Sequence, residues 1–131
     1  MLINVLIVEK ESIIALDLKH KLESRNYIVN VTQSGEEALD IVKNNKIDLI
    51  FMAMHLHGIL NGLDAAIQIR KQFSIPIIYI SANSNLIKHK EIRQTRPFQY
   101  ITKPFEDSQI QEAVNNCLMV IKLNEVQKKF K

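Results

Sequence analysis

A few scattered positions carry side chains whose types could do chemistry together if the fold gathered them: Glu9 with Lys10, Ala53, Ser81 and Lys103. Each follows a short apolar run, and residues just beyond the strands of a parallel sheet converge on one edge however far apart they lie in sequence. A hydroxyl and two ammonium groups suit an anionic group; a carboxylate suits a cation or an ion pair. Ala53 offers a methyl, which has no lone pair and cannot be a nucleophile. With Glu9 set against Lys10 and Lys103, a divalent cation would meet like charge, a cost on the order of 4 kcal/mol at ~4 Å and an effective dielectric of about 20. An ion pair of Glu9 with Lys10 or Lys103 is the expected alternative, of small net value if exposed.

Other chemistries find less support. His55 and His57 have the look of a metal pair, but no further Cys or His clusters with them, and they read as surface histidines. The turn Glu9-Lys10-Glu11-Ser12 has no glycine to let a dinucleotide phosphate approach the backbone. An enzyme using Glu9 or His55 as a base would need a nucleophile or substrate pocket that the sequence does not reveal, so no catalytic residue is assigned.

The elements that must position these residues alternate short β-branched runs with helical periodicity, the pattern of a parallel sheet covered on both faces. The runs are Ile3–Val8, Tyr27–Val31, Asp48–Ala53, Ile77–Ile80 behind Pro76, and Gln99–Thr102. Between them, Ile14, Ala15, Leu18 and Leu22 form one helical face, and Ser34 to Glu37 has capping-box spacing before Ala38, Leu39 and Val42. Ala66, Ile69 and Phe73 mark a third helix. A polar, lightly docked fourth spans 85–95 with Leu86, Ile87 and Ile92 as anchors. Ile110, Val114, Cys117, Leu118 and Ile121 line a fifth. The expected fold is therefore α/β, a doubly wound (βα)5 domain.

At 131 residues and 47% hydrophobic content, the chain has the size of one domain with a genuine core. The net charge of +3 owes much to Lys128, Lys129 and Lys131, which read as a solvated tail and not a nucleic-acid surface. One cysteine, no secretory leader and no apolar segment long enough to cross a bilayer point to a cytoplasmic protein without membrane contact.

The phrases Val5-Leu6-Ile7-Val8-Glu9, Asp48-Leu49-Ile50-Phe51-Met52, Asn61-Gly62-Leu63-Asp64-Ala65-Ala66, Ile80-Ser81-Ala82 and Tyr100-Ile101-Thr102-Lys103-Pro104-Phe105 occur in an order and spacing that resembles the receiver domain of two-component response regulators, from Ile3 to about Ile121. The resemblance implies a flavodoxin-like five-stranded sheet in the order 2-1-3-4-5. It also implies an aspartate ending the third strand that takes a phosphoryl group from a phosphohistidine, with an acidic pair holding Mg²⁺. A hydroxyl and a lysine bind the phosphoryl oxygens, and a fifth-strand aromatic acts as a switch. Glu9, Ser81, Lys103 and Tyr100 match. Lys10 replaces the second acidic residue, and Ala53 replaces the acceptor.

The resulting expectation is a pseudo-receiver, not an enzyme, with no Mg²⁺ site and no other cofactor. It would act through a protein partner, a histidine kinase or downstream signalling protein, at a face of fourth helix, fifth strand and last helix that includes Gln99, Tyr100 and Ile101, and the same face could pair two copies of the chain. The alternative is a laboratory variant of an active regulator whose acceptor aspartate was replaced to leave Ala53; Lys10 argues against it. A DNA-binding regulator would need an effector domain beyond the last helix. Residues 1–121 are expected to form the receiver-like domain, and 122–131 a helical extension or frayed tail. There Met119, Leu123, Val126 and Phe130 form a second stripe that could pair two chains.

Overall fold

The computed structural model describes residues 2–82, 85 and 88–129, the last two as backbone alone. The elements alternate as β1 (Asn4–Val8), α1 (Ser12–Glu23), β2 (Ile28–Thr32), α2 (Gly35–Asn44), β3 (Leu49–Ala53), α3 (Gly62–Gln72), β4 (Ile77–Ser81), α4 (Lys90–Gln94), β5 (Gln99–Thr102) and α5 (Asp107–Lys129). All strand pairs are parallel, in the order β2-β1-β3-β4-β5. This is the doubly wound sheet expected from the sequence.

β3 is central and buried along its whole length, so both its faces must be apolar. Its side chains alternate between two cores. Leu49, Phe51 and Ala53 join Val5 and Ile7 of β1, Leu18 and Leu22 of α1, and Val114 and Cys117 of α5. Ile50 and Met52 join Ala38 and Val42 of α2, Ala66 and Ile69 of α3, and Tyr79. Each large side chain buried this way contributes about 1.5–3 kcal/mol. Asp48 falls just outside the strand, because its carboxylate accepts the Asn4 N–H at 2.9 Å and aligns β3 with β1.

Helix starts follow local signals. Ser34 caps α2 by accepting the Glu37 N–H at 3.1 Å, half of the expected box. The complete box is at α3, where the Asn61 side chain accepts from Asp64 N–H at 2.8 Å and Asp64 accepts from Asn61 N–H at 3.4 Å. Asn-x-x-Asp carries the same signal with shorter side chains. Phe73 is the C-cap of α3, half-buried against the core.

Among the described residues the fourth helix is shorter than its polar sequence suggests: it spans Lys90–Gln94, and residues 85, 88, 89 and 95 lie outside it. Too few apolar anchors offset the cost of a helical nucleus. Ile92 is buried, whereas Leu86 and Ile87 lie outside the described residues. Arg70 fastens the following turn by donating to the carbonyls of Ile75, Thr95 (2.7 Å) and Arg96 (3.3 Å).

α5 runs unbroken through the boundary expected at residue 121. Met119, Leu123 and Val126 are exposed on it; Phe130 lies outside the described residues. Among the described residues no helix is long and apolar enough to cross a membrane.

Candidate functional site

The register sets the C-terminal strand ends level: Val8 opposite Met52, Ala53 opposite Ile80, and Ser81 opposite Thr102. Glu9, Ala53, Ser81 and Lys103 therefore meet, as expected, around a cavity of about 590 Å³ at that edge. Ala53, 2% exposed, forms part of its floor. The carbonyl of Ser81 accepts the Lys103 N–H at 2.8 Å, which carries the ladder to the edge of the cavity.

Glu9 is 1% exposed, and a buried carboxylate requires partners. One oxygen accepts from the Lys103 ammonium, and the other accepts the Glu11 N–H at 3.1 Å. The expected choice between Lys10 and Lys103 is thus made by Lys103. Lys10 does not line the cavity, and its carbonyl accepts from Gln33 Nε2 at 3.4 Å. One ammonium group, not the expected two, therefore faces the Glu9 carboxylate in the cavity. The strand-end backbone turns Lys10 out of the cluster, and any effect it has on a cation there is indirect.

Lining groups that sequence reasoning did not single out come from α1 and the turn after β5. Glu11 and Asp17 bring two further carboxylates, and Ile13, Ile14 and Phe105 bring apolar walls. Ile14 is thus only half-buried, facing the cleft more than the core. Four-residue periodicity marks a helix face but cannot say whether a sheet or a cavity lies opposite. Asp17 pairs with Lys21 at 2.8 Å, and Lys21 also reaches Asp107 at 2.8 Å and lies 5.5 Å above the Phe105 ring. Hydrogen bonds to Asp107 and then Asp17 raise the Lys21 pKa above its ordinary value.

The loop after β3 is held from two sides. Gly62 N–H donates to the Met54 carbonyl at 2.8 Å, and a Cβ at Gly62 would stand 2.0 Å from the Ala53 carbonyl oxygen. Only glycine permits that approach. Opposite, the Glu36 carboxylate accepts the N–H groups of Ile59 (2.9 Å) and Leu60 (2.7 Å), and these backbone donors, Leu60 foremost, lower its pKa. Sequence reading used Glu36 only as part of the α2 start. His55 and His57 are both exposed; among the described residues no three His, Cys, Asp or Glu side chains cluster to hold a metal.

On β5, Gln99 and Tyr100 are half-exposed, and the Tyr100 ring stacks on Tyr79 at 6.0 Å. Ile101 does not belong to that surface. It is 4% exposed, within the core cluster that includes Ile110, Ala113 and Val114 of α5, on the face of β5 opposite Tyr100.

The family model described as the response regulator receiver domain matches residues 5–115. Response regulator ArlR of Staphylococcus haemolyticus is 37% identical over 103 residues, 79% of this chain and 47% of the relative. Its counterpart in Staphylococcus saprophyticus is 35% identical over the same share of this chain and 46% of its own. The chain thus spans about half the length of the curated relatives it matches. Among solved structures, the signal receiver domain of a modulated diguanylate cyclase from Desulfovibrio desulfuricans superposes with a TM-score of 0.85 at 28% identity, over 95% of this chain and 99% of that one. A chemotaxis response regulator of Vibrio cholerae shares the fold, with a TM-score of 0.82 at 20% identity over 89% and 99% of the two chains. With its parallel sheet, its strand-end cleft and a family match over most of its length, the chain belongs to the response regulator receiver domain family.

Proposed function

We propose that this chain is a pseudo-receiver, a two-component signalling module that accepts no phosphoryl group at Ala53 and works through protein contacts. The observation that carries the reading is Ala53 itself: a methyl at the end of β3, on the floor of the strand-end cleft, where phosphotransfer needs a nucleophilic oxygen. The donor set also fits Mg²⁺ poorly. That ion prefers octahedral oxygen coordination, whereas both oxygens of Glu9 are engaged by Lys103 and the Glu11 N–H, and Ala53 supplies none. The partner is a protein, a histidine kinase or a downstream signalling component, and the half-exposed Gln99 and Tyr100 are its contact residues on β5.

Incubation with acetyl phosphate and Mg²⁺, followed by intact mass measurement, tests the first half; an unchanged mass is expected. A stoichiometric gain of one phosphoryl group would overturn it. Co-purification from the native cell with and without Gln99→Ala and Tyr100→Ala tests the second. Partner capture should fall in the variants, and undiminished capture removes the β5 face from the proposal.

A further inference from the structure

We propose that the cleft over Ala53 is a ligand site for a small amphipathic amine, an organic molecule with an apolar body and one protonated nitrogen. The inference takes from the pseudo-receiver reading only that no phosphoryl group fills the cleft.

The cavity, about 590 Å³, lies within the usual size of small-molecule sites, roughly 300–1,000 Å³. Its walls are largely apolar: Ile13, Ile14, Met54 and Phe105 face it, and Ile13 stands 85% exposed at its mouth. An apolar wall left uncovered around a cavity gains free energy when a matching body displaces its water.

The charges select the head group. The lining holds three carboxylates, Glu9, Glu11 and Asp17, against one ammonium, Lys103, and one imidazole, His55. Glu9 and Lys103 neutralise each other, and Asp17 is matched by Lys21. Glu11 has no ion pair among the described residues, so the mouth carries a net negative charge. An inorganic or carboxylate anion would have to draw Lys103 away from a buried partner. A bare divalent ion would find too few oxygens and no apolar complement. An organic cation meets both features, its nitrogen toward Glu11 and its body on the isoleucines. The Phe105 ring already attracts one ammonium, that of Lys21 at 5.5 Å.

The test is amide NMR of the isotope-labelled full chain, titrated with phenethylamine, phenethyl alcohol and hydrocinnamate. Saturable shifts at Ala53, Met54 and Lys103 with the amine, and weaker binding of the alcohol and acid, are expected. Glu11→Gln should weaken the amine by about threefold, the scale of an exposed ion pair, with unchanged peak dispersion confirming its fold. Indistinguishable binding of all three probes, or an amine response confined to other surfaces, overturns the proposal. So does a response to a lysine-bearing peptide without one to the amine, which would make the cleft a protein-docking site. The titration is done on chain never exposed to acetyl phosphate, so a phosphoryl mass gain in a separate sample would overturn the pseudo-receiver reading without deciding the amine result.

Discussion

The Lys103 ammonium donates to a carboxylate oxygen of Glu9, joining the turn after β5 to the end of β1 across 94 residues of sequence. Glu9 is 1% and Lys103 16% exposed at the side chain, so this is a largely buried pair. Its desolvation cost consumes most of its attraction, yet removing one partner strands the other. Lys103→Met should therefore destabilise the chain by about 3 kcal/mol, the lower end for a buried pair because Lys103 keeps some water. Adding Glu9→Leu should restore most of that loss. Urea denaturation of the two single variants and the double reads the coupling, and additive losses would show that the two groups do not act as a pair.

Gly62 seats the start of α3 against the end of β3. Its missing side chain is required because a Cβ would stand 2.0 Å from the Ala53 carbonyl oxygen, and backbone on both sides leaves little room to give. Gly62→Ala should cost about 3 kcal/mol as overpacking, read as a lowered urea midpoint. Gly35→Ala, whose added Cβ meets its nearest atom at 3.0 Å, should cost less.

Buried Tyr79 has its hydroxyl 2.7 Å from Thr95 Oγ1. This bond ties the middle of β4 to the end of α4, next to the turn Arg70 fastens. Thr95→Val leaves the phenol unpaired and should cost about 1–3 kcal/mol. In the Tyr79→Phe background the same change should cost less, a difference that a double-mutant cycle measures directly.

Glu36 gives the β3–α3 loop a pH dependence. Its pKa is lowered in the folded chain by the Leu60 and Ile59 amides. A depressed carboxylate contributes its stabilisation above the unfolded value of about 4.3, and that contribution is lost as pH falls through the folded value. After correction for intrinsic exchange chemistry, protection of the Ile59 and Leu60 amides should decline as pH falls below the range of an ordinary carboxylate and through the lowered folded-state value, and Glu36→Ala should abolish the dependence. Protection flat across that range would mean that the carboxylate does not hold the loop.

The sequence by itself determined the sheet. β-branched runs of strand length, separated by segments of period 3.6, can bury their faces in few ways, and the fully apolar Leu49–Ala53 run had to be central because only a strand covered on both faces tolerates it. It also brought Glu9, Ala53, Ser81 and Lys103 to one edge, since strand ends converge once the sheet is parallel. Local cap chemistry was legible at Ser34, whereas the complete box of Asn61 and Asp64 at α3 emerged only in the structure. Tertiary structure alone decided the pairings. Adjacent residues Glu9 and Lys10 differ in whether they reach the cleft, because backbone direction at a strand end is set by the register with β2 and by the Glu9 N–H to Thr32 carbonyl bond at 2.9 Å. Ile101 sits among surface neighbours in sequence but under α5 in space. Glu11, Asp17 and Phe105 form one cavity only after α1 and the turn after β5 are placed side by side. Periodicity encodes which face of an element is apolar; which partner meets that face is a property of packing.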